Sequence, residues 1–296
     1  MPLFYLNNEN LKLVVSSHGG TILSFEIETP NGFVPLLRPV EIHEQTPASQ
    51  SGCFPFIPFG NRVEGNQFNF DNVHYQLNAN TNGDYHYLHG DGWLNEWHGL
   101  THSTQHLVLS YQHMQGIYQY HTQQTFSLNA STLEMTLTVT NISTKTMPFG
   151  LGWHPYFPMT AQTTVQATAN GYWLEKKGWL PGEYRSQLPA ELDFNQPNHL
   201  PHKWVNNGFN GWSGNAIIHW PEQHARLTMT TYPPCPVYFI FVSDPQFDEN
   251  NHFDYFCLEP MTHAANAHNM PDRKGLQNLK PNESMTLTMT LTAELI

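Results

Sequence analysis

Residues 285–292 read MTLTMTLT, and residues 133–140 read LEMTLTVT. Apolar and polar side chains alternate at every step of both. Successive side chains of a strand leave opposite faces, so this pattern predicts strands with one face in a core and the other in water. Residues 21–28 (TILSFEIE) repeat it, with Leu23, Phe25 and Ile27 on one face and Ser24, Glu26 and Glu28 on the other. Val237–Val242 (VYFIFV) is apolar throughout and predicts a central strand buried on both sides. Shorter candidates are residues 67–70, 73–77, 107–111, 216–220, 225–231 and 255–258.

Outward from these strands, nothing supports long helices. No dozen residues keep apolar positions at i, i+3, i+4 and i+7, and 20 Gly with 22 Pro interrupt the chain every few positions, as a meandering sheet protein requires. Residues 179–207 are weakest in pattern and richest in turn residues, and read as a long surface excursion. Strands on both sides share one style and no charge run marks a boundary. The expectation is all-β: one large antiparallel β-sandwich domain spanning residues 1–296.

Composition narrows the function. The 296 residues carry 24 Asp+Glu against 12 Lys+Arg, a net charge of −12. So few cations argue against a nucleic-acid surface or a polybasic membrane anchor, and against heavily phosphorylated substrates. Neutral polar partners fit best. The 18 histidines make the charge less negative in mild acid. Cys53, Cys235 and Cys257 show no Cys-x-x-Cys spacing, so neither a disulfide framework nor a zinc ribbon is expected. The start, MPLFYLNNENLKLVV, lacks the basic and apolar regions of a secretory signal, and no apolar run is long enough to span a bilayer. The expected location is therefore the cytoplasm, with no membrane partner. No feature sets an oligomeric state.

A Gly-x-x-x-x-Gly-Lys-Ser/Thr phosphate loop, a Gly-x-Ser-x-Gly elbow and a His-Glu-x-x-His zinc helix are all missing. His86-x-x-His89, with His98 beyond, has a spacing that could hold a metal, but on strands or loops that spacing is weak, and no metal is expected.

Four segments stand out from the sheet background. In Phe59-Gly60-Asn61-Arg62-Val63, a scarce arginine sits in a polar turn, where its guanidinium either ties the turn down or forks onto ligand hydroxyls. In Leu88-His89-Gly90, the glycine could let a ligand approach the backbone, or the histidine is simply structural. Gly152-Trp153-His154-Pro155-Tyr156-Phe157 embeds a titratable histidine among aromatics. These rings offer stacking platforms for sugars or form an ordinary core cluster. In Phe256-Cys257-Leu258-Glu259-Pro260-Met261-Thr262 a carboxylate ends an apolar strand, where desolvation would raise its pKa and make it a usable base.

Taken together and in this order, the Asn-Arg turn, the Leu-His-Gly segment, His-Pro-Tyr-Phe and Leu-Glu-Pro-Met-Thr resemble the aldose 1-epimerase (galactose mutarotase) family. Leu279-Lys280-Pro281-Asn282-Glu283-Ser284 before an alternating strand is similar to that family's last strand, so the resemblance covers nearly the whole chain. It implies a galactose mutarotase-like β-supersandwich with an open sugar cleft, no cofactor and a small-molecule sugar as substrate. Matched residue by residue, it implies Glu259 as general base, His154 as general acid, His89 as a second active-site histidine, and Arg62 with Asn61 as substrate-binding residues. The expected reaction interconverts α and β anomers of free aldohexoses such as glucose or galactose. On this reading the rate rises as Glu259 deprotonates and falls as His154 loses its proton.

One departure stands out. Where many members carry an aspartate that holds sugar hydroxyls, the matching stretch is Asn206-Asn207-Gly208-Phe209-Asn210-Gly211-Trp212. Asn206 can still hydrogen-bond but lacks the charge, so Asn206→Asp is expected to alter sugar affinity. The alternatives are a hexose-6-phosphate 1-epimerase, for which cations are scarce, and a non-catalytic carbohydrate-binding or sensor domain. A glycoside hydrolase would need a second carboxylate flanking the scissile bond, with Asp244, Asp248 and Asp254 as candidates to pair with Glu259.

Overall fold

A computed structural model describes residues 2–296. The two alternating segments that predict the fold lie side by side. Thr132–Asn141 pairs antiparallel with Ser284–Leu295, in a register that sets Leu133 opposite Leu291, Met135 opposite Met289 and Leu137 opposite Leu287. Those apolar side chains are fully buried. On the outer face the register aligns hydroxyls, and Thr132–Thr292, Thr136–Thr288, Thr138–Thr286 and Thr140–Ser284 are hydrogen-bonded at 2.7–3.0 Å. Cross-strand pairs of this kind contribute roughly 0.2–1 kcal/mol each.

These strands form the centre of a nine-stranded sheet, with His98–His102, His106–His113 and Tyr120–Asn129 on one side and Ala225–Tyr232, Asn215–Trp220, Thr164–Ala167 and Asn198–His199 on the other. A second sheet of eleven strands runs Leu3–Asn7, Leu11–Ser16, Thr21–Thr29, Cys53–Phe56, Gly152–Pro158, Tyr255–Met261, Val237–Val242, Val205–Asn210, Gly171–Lys176 and Leu180–Arg185, with Gly32–Pro35 added to Thr21–Thr29. Their inner faces bury a common core that includes Phe25, Trp153, Phe157, Leu258, Leu137 and Leu287. The all-β antiparallel supersandwich is as expected. Among the described residues the only helices are short 3₁₀ turns, and no helix is long and apolar enough to cross a membrane.

Strands of the eleven-stranded sheet also alternate, but both of their faces are covered. Trp153 and Phe157 point into the inter-sheet core with Phe256 and Leu258. Tyr156, Cys257 and Met261 point the other way, into a separate aromatic cluster with Phe54, Phe56 and Phe239. Residues between the strands roof this second face: Trp93 stacks on Phe54 and His89 stacks on Phe56.

The expected surface excursion over residues 179–207 is corrected. Leu180–Arg185 is the edge strand of the large sheet, paired with Gly171–Lys176, and Val205–Asn210 is an internal strand. The edge strand is half exposed and bulged, and the internal one carries Asn and Gly, so neither shows an alternating pattern. Leu192, Phe194 and Leu200 between them are buried in the main core.

Removing core volume beneath the central strand should weaken the whole fold. Leu287 is fully buried, so Leu287→Ala is expected to cost about 2–5 kcal/mol, read as a lower urea midpoint at unchanged m-value.

Candidate active site

Strand register brings two of the candidate residues together. Gly152 lies opposite Met261 and Tyr156 opposite Cys257, which sets His154 directly across from Glu259. Both side chains leave the sheet on the cleft face, and His154 Nε2 is 3.3 Å from Glu259 Oε1. Around them is a cavity of about 410 Å³, also lined by Asn61, Arg62, His89 and Asn206, so all six expected residues converge. A volume of this size falls within the usual range for small-molecule sites.

The aromatic neighbours hold His154 rigidly. Its imidazole is stacked between Phe54 (centroids 4.6 Å apart) and Tyr156 (4.5 Å). Burial, reinforced by the positive charge of Arg38, pushes its pKa down to about 3. Burial acts in the opposite sense on Glu259, raising its pKa well above the carboxylate range, with Arg62 offsetting part of the rise. Both groups therefore resist charge. Glu259 Oε2 and His154 Nδ1 are buried with no protein partner among the described residues.

His89 is held differently. Its Nδ1 accepts the backbone N–H of Asn61 at 3.0 Å, and its own backbone N–H donates to the Asn61 carbonyl at 2.9 Å. An Nδ1 that accepts carries no proton, so the neutral ring bears it on Nε2 as a donor. Burial, then neighbouring His154 and Arg62, keeps His89 well below the ordinary imidazole pKa and hence neutral. The turn needs the next residue to be glycine: Gly90 has φ +71°, and a Cβ there would lie 2.0 Å from the Ile57 carbonyl oxygen.

Asn61 occupies the left-handed region (φ 59°), and its Oδ1 accepts the Arg62 N–H at 2.9 Å. Arg62 Nε donates to Asp84 Oδ2 at 2.6 Å. The arginine is thus tied to the carboxylate of Asp84 and stands at the cavity wall.

The histidines His86, His89 and His98 form no three-ligand group among the described residues; His86 Nδ1 instead accepts the Gly65 N–H at 3.1 Å. A nitrogen, a thiol and a carboxylate oxygen do meet within 4.8 Å at His154, Cys257 and Glu259. Of the three aspartates weighed as partners for Glu259, only Asp248 lines the cavity.

Sequence reasoning missed Arg38, Trp93, Trp204, Phe239 and Phe241, which also line the site. Arg38 donates to the Ser49 and Ser51 carbonyls at 3.1 and 2.7 Å and lies 3.9 Å over the Tyr156 ring. Its signal was available: a scarce arginine after two buried leucines, in Leu36-Leu37-Arg38-Pro39.

A family model described as aldose 1-epimerase matches residues 2–292. The uncharacterized protein YphB of Escherichia coli strain K12 is 51% identical over 294 residues, covering 99% of each chain. A crystal structure from Escherichia coli K12, of a protein provisionally described as an aldose 1-epimerase, superposes with a TM-score of 0.96 at 50% identity, over 100% of this chain and 99% of that one. The GalM/aldose epimerase homologue from C. elegans superposes with a TM-score of 0.85 at 18% identity, over 100% and 99% of the two chains, a likeness of fold alone.

Proposed function

We propose, from the premise that this chain belongs to the aldose 1-epimerase family, that it interconverts the α and β anomers of free aldohexoses such as glucose and galactose. The observation that carries this reading is the His154–Glu259 pair, 3.3 Å apart in a cavity floored by aromatic rings. Opening a hemiacetal removes a proton from the C1 hydroxyl and delivers one to the ring oxygen. Both oxygens are borne by the same carbon, so acid and base must lie within a few ångströms of each other.

Glu259 takes the C1 hydroxyl proton while His154 gives a proton to the ring oxygen, and the bond from C1 to that oxygen breaks to leave an open-chain aldehyde. Rotation about C1–C2 presents the other carbonyl face, and reclosure with the proton transfers reversed yields the other anomer. His89 offers its Nε2–H to a sugar oxygen, and Asn61 and Arg62 hold hydroxyls. Each positioned proton donor or acceptor contributes roughly 10²–10⁴-fold.

Neutral sugars fit the charges around the cavity better than phosphates. Arg62 already faces the carboxylate of Asp84, Arg38 is engaged by two carbonyls and a tyrosine ring, and Asp248 adds a negative wall. Polarimetry of freshly dissolved α-glucose and α-galactose, with their 6-phosphates as controls, tests this. The expected result is a higher kcat/KM for the free sugars. A higher value for the phosphates would favour the hexose-6-phosphate reading, and turnover of neither would favour a binding domain.

A further inference from the structure

We propose that Glu175 is a positioning residue for sugar recognition, fixing the Asn206 amide so that it meets the substrate only as a hydrogen-bond acceptor. This rests on the cavity being an aldose site. Asn206 is 7% exposed, lies opposite Phe241 on the neighbouring strand, and lines the cavity with Glu259. On its other side runs Gly171–Lys176, the strand that carries Glu175, whose Tyr172 pairs with Phe209. Asn206 Nδ2 donates to Glu175 Oε2 at 2.5 Å, and the same oxygen accepts the Trp204 indole N–H at 3.0 Å.

An amide by itself can present either end to a ligand. A carboxylate beside it only accepts, so it holds Nδ2 and repels Oδ1. Asn206 Oδ1 has no protein donor among the described residues, which leaves it as the polar atom of this side chain available to a sugar hydroxyl. The bond to an ionised acceptor also polarises the amide and makes Oδ1 a stronger acceptor. Glu175 itself lies outside the sugar cavity, lining an adjoining one with Trp179, Asp244 and Gln246, so it acts through Asn206 and Trp204.

This revises the expectation drawn from the sequence. The negative charge missing at position 206 stands one strand away, and Asn206→Asp would press two carboxylates together across a 2.5 Å contact.

Four variants, Glu175→Ala, Glu175→Gln, Asn206→Asp and Asn206→Asp with Glu175→Gln, test the proposal through kcat and KM for glucose and galactose. Losing one hydrogen bond to a charged group is expected to raise KM about tenfold in Glu175→Ala, with kcat within about twofold. Glu175→Gln retains an acceptor and should raise KM less than about threefold. Asn206→Asp alone should raise KM at least as much as Glu175→Ala. The double variant, in which the new amide at 175 donates to the new carboxylate at 206, should return KM to within about threefold of wild type, a coupling that a merely structural role would not produce.

An unchanged KM in Glu175→Ala, or a double variant no better than Asn206→Asp, overturns the proposal while leaving the epimerase reading intact. If the wild type turns over no aldose, that reading fails, and the same comparison is made on aldose affinity measured by tryptophan fluorescence. A wild type that neither turns over nor binds an aldose overturns both.

Discussion

Glu259→Gln is expected to lower kcat for aldose mutarotation by about two to four orders of magnitude, the range for losing a positioned general base. The substitution keeps the shape of the side chain and removes its ability to take the C1 hydroxyl proton. It should not unfold the protein. Glu259 is 2% exposed and burial raises its pKa, so the folded chain disfavours the carboxylate. The sign follows from the raised folded pKa: the stability tied to this proton is present in acid and is lost as pH rises through that pKa. A neutral amide escapes that loss, so the variant's urea midpoint should match the wild type in mild acid and exceed it at higher pH. KM should change less than kcat, because Arg62, His89 and the aromatic floor still hold the ring. A folded variant keeping more than about a tenth of the wild-type kcat would remove Glu259 from the role of base.

His154→Asn should lower kcat by a similar two to four orders of magnitude, and the wild-type pH profile shows why the pair acts as one unit. With His154 pushed down to about 3 and Glu259 pushed up, the pair holds a single proton across the intervening pH range. The reactive arrangement, carboxylate with imidazolium, has the same proton count as the neutral pair, so its share stays constant over that range. The kcat/KM profile is therefore expected to be a broad plateau. It rises on the acid side as the doubly protonated pair loses the proton held mainly by His154. It falls on the alkaline side as the last proton leaves Glu259. This inverts the assignment expected from the sequence, which put the loss of the Glu259 proton on the rising limb and that of His154 on the falling one. Nitrogen NMR of His154 in the sugar-free protein should report a neutral ring throughout the plateau, and an ordinary imidazole titration near neutrality would contradict it.

Much of the fold was legible because its signal is local. Residues 133–140 and 285–292 declare their inward faces one residue at a time, and Val237–Val242 declares burial on both sides. The core of the site was legible for a related reason: His154 and Glu259 each sit in a short run whose aromatic and proline neighbours have an unusual wording. Glu175 was not, because it acquires its place beside Asn206 through strands separated in sequence and no neighbour marks it. The edge strand Leu180–Arg185 was lost because exposure erases the alternation on which strand recognition depends.

The position of Ser284–Leu295 has a further consequence, for biosynthesis. This strand, near the end of the sequence, is the centre of the nine-stranded sheet, bonded to Thr132–Asn141 on one side and Ala225–Tyr232 on the other. Until this strand has been made, the two halves of that sheet have no strand between them and present the bare edges of Thr132–Asn141 and Ala225–Tyr232. Such edges invite pairing with other chains. Sheets joined mainly by distant partners also assemble slowly. The sheet, and the face of the core that backs the His154–Glu259 pair, can close only after residues 284–295 have left the ribosome. Chaperones that shield strand edges would act during that interval.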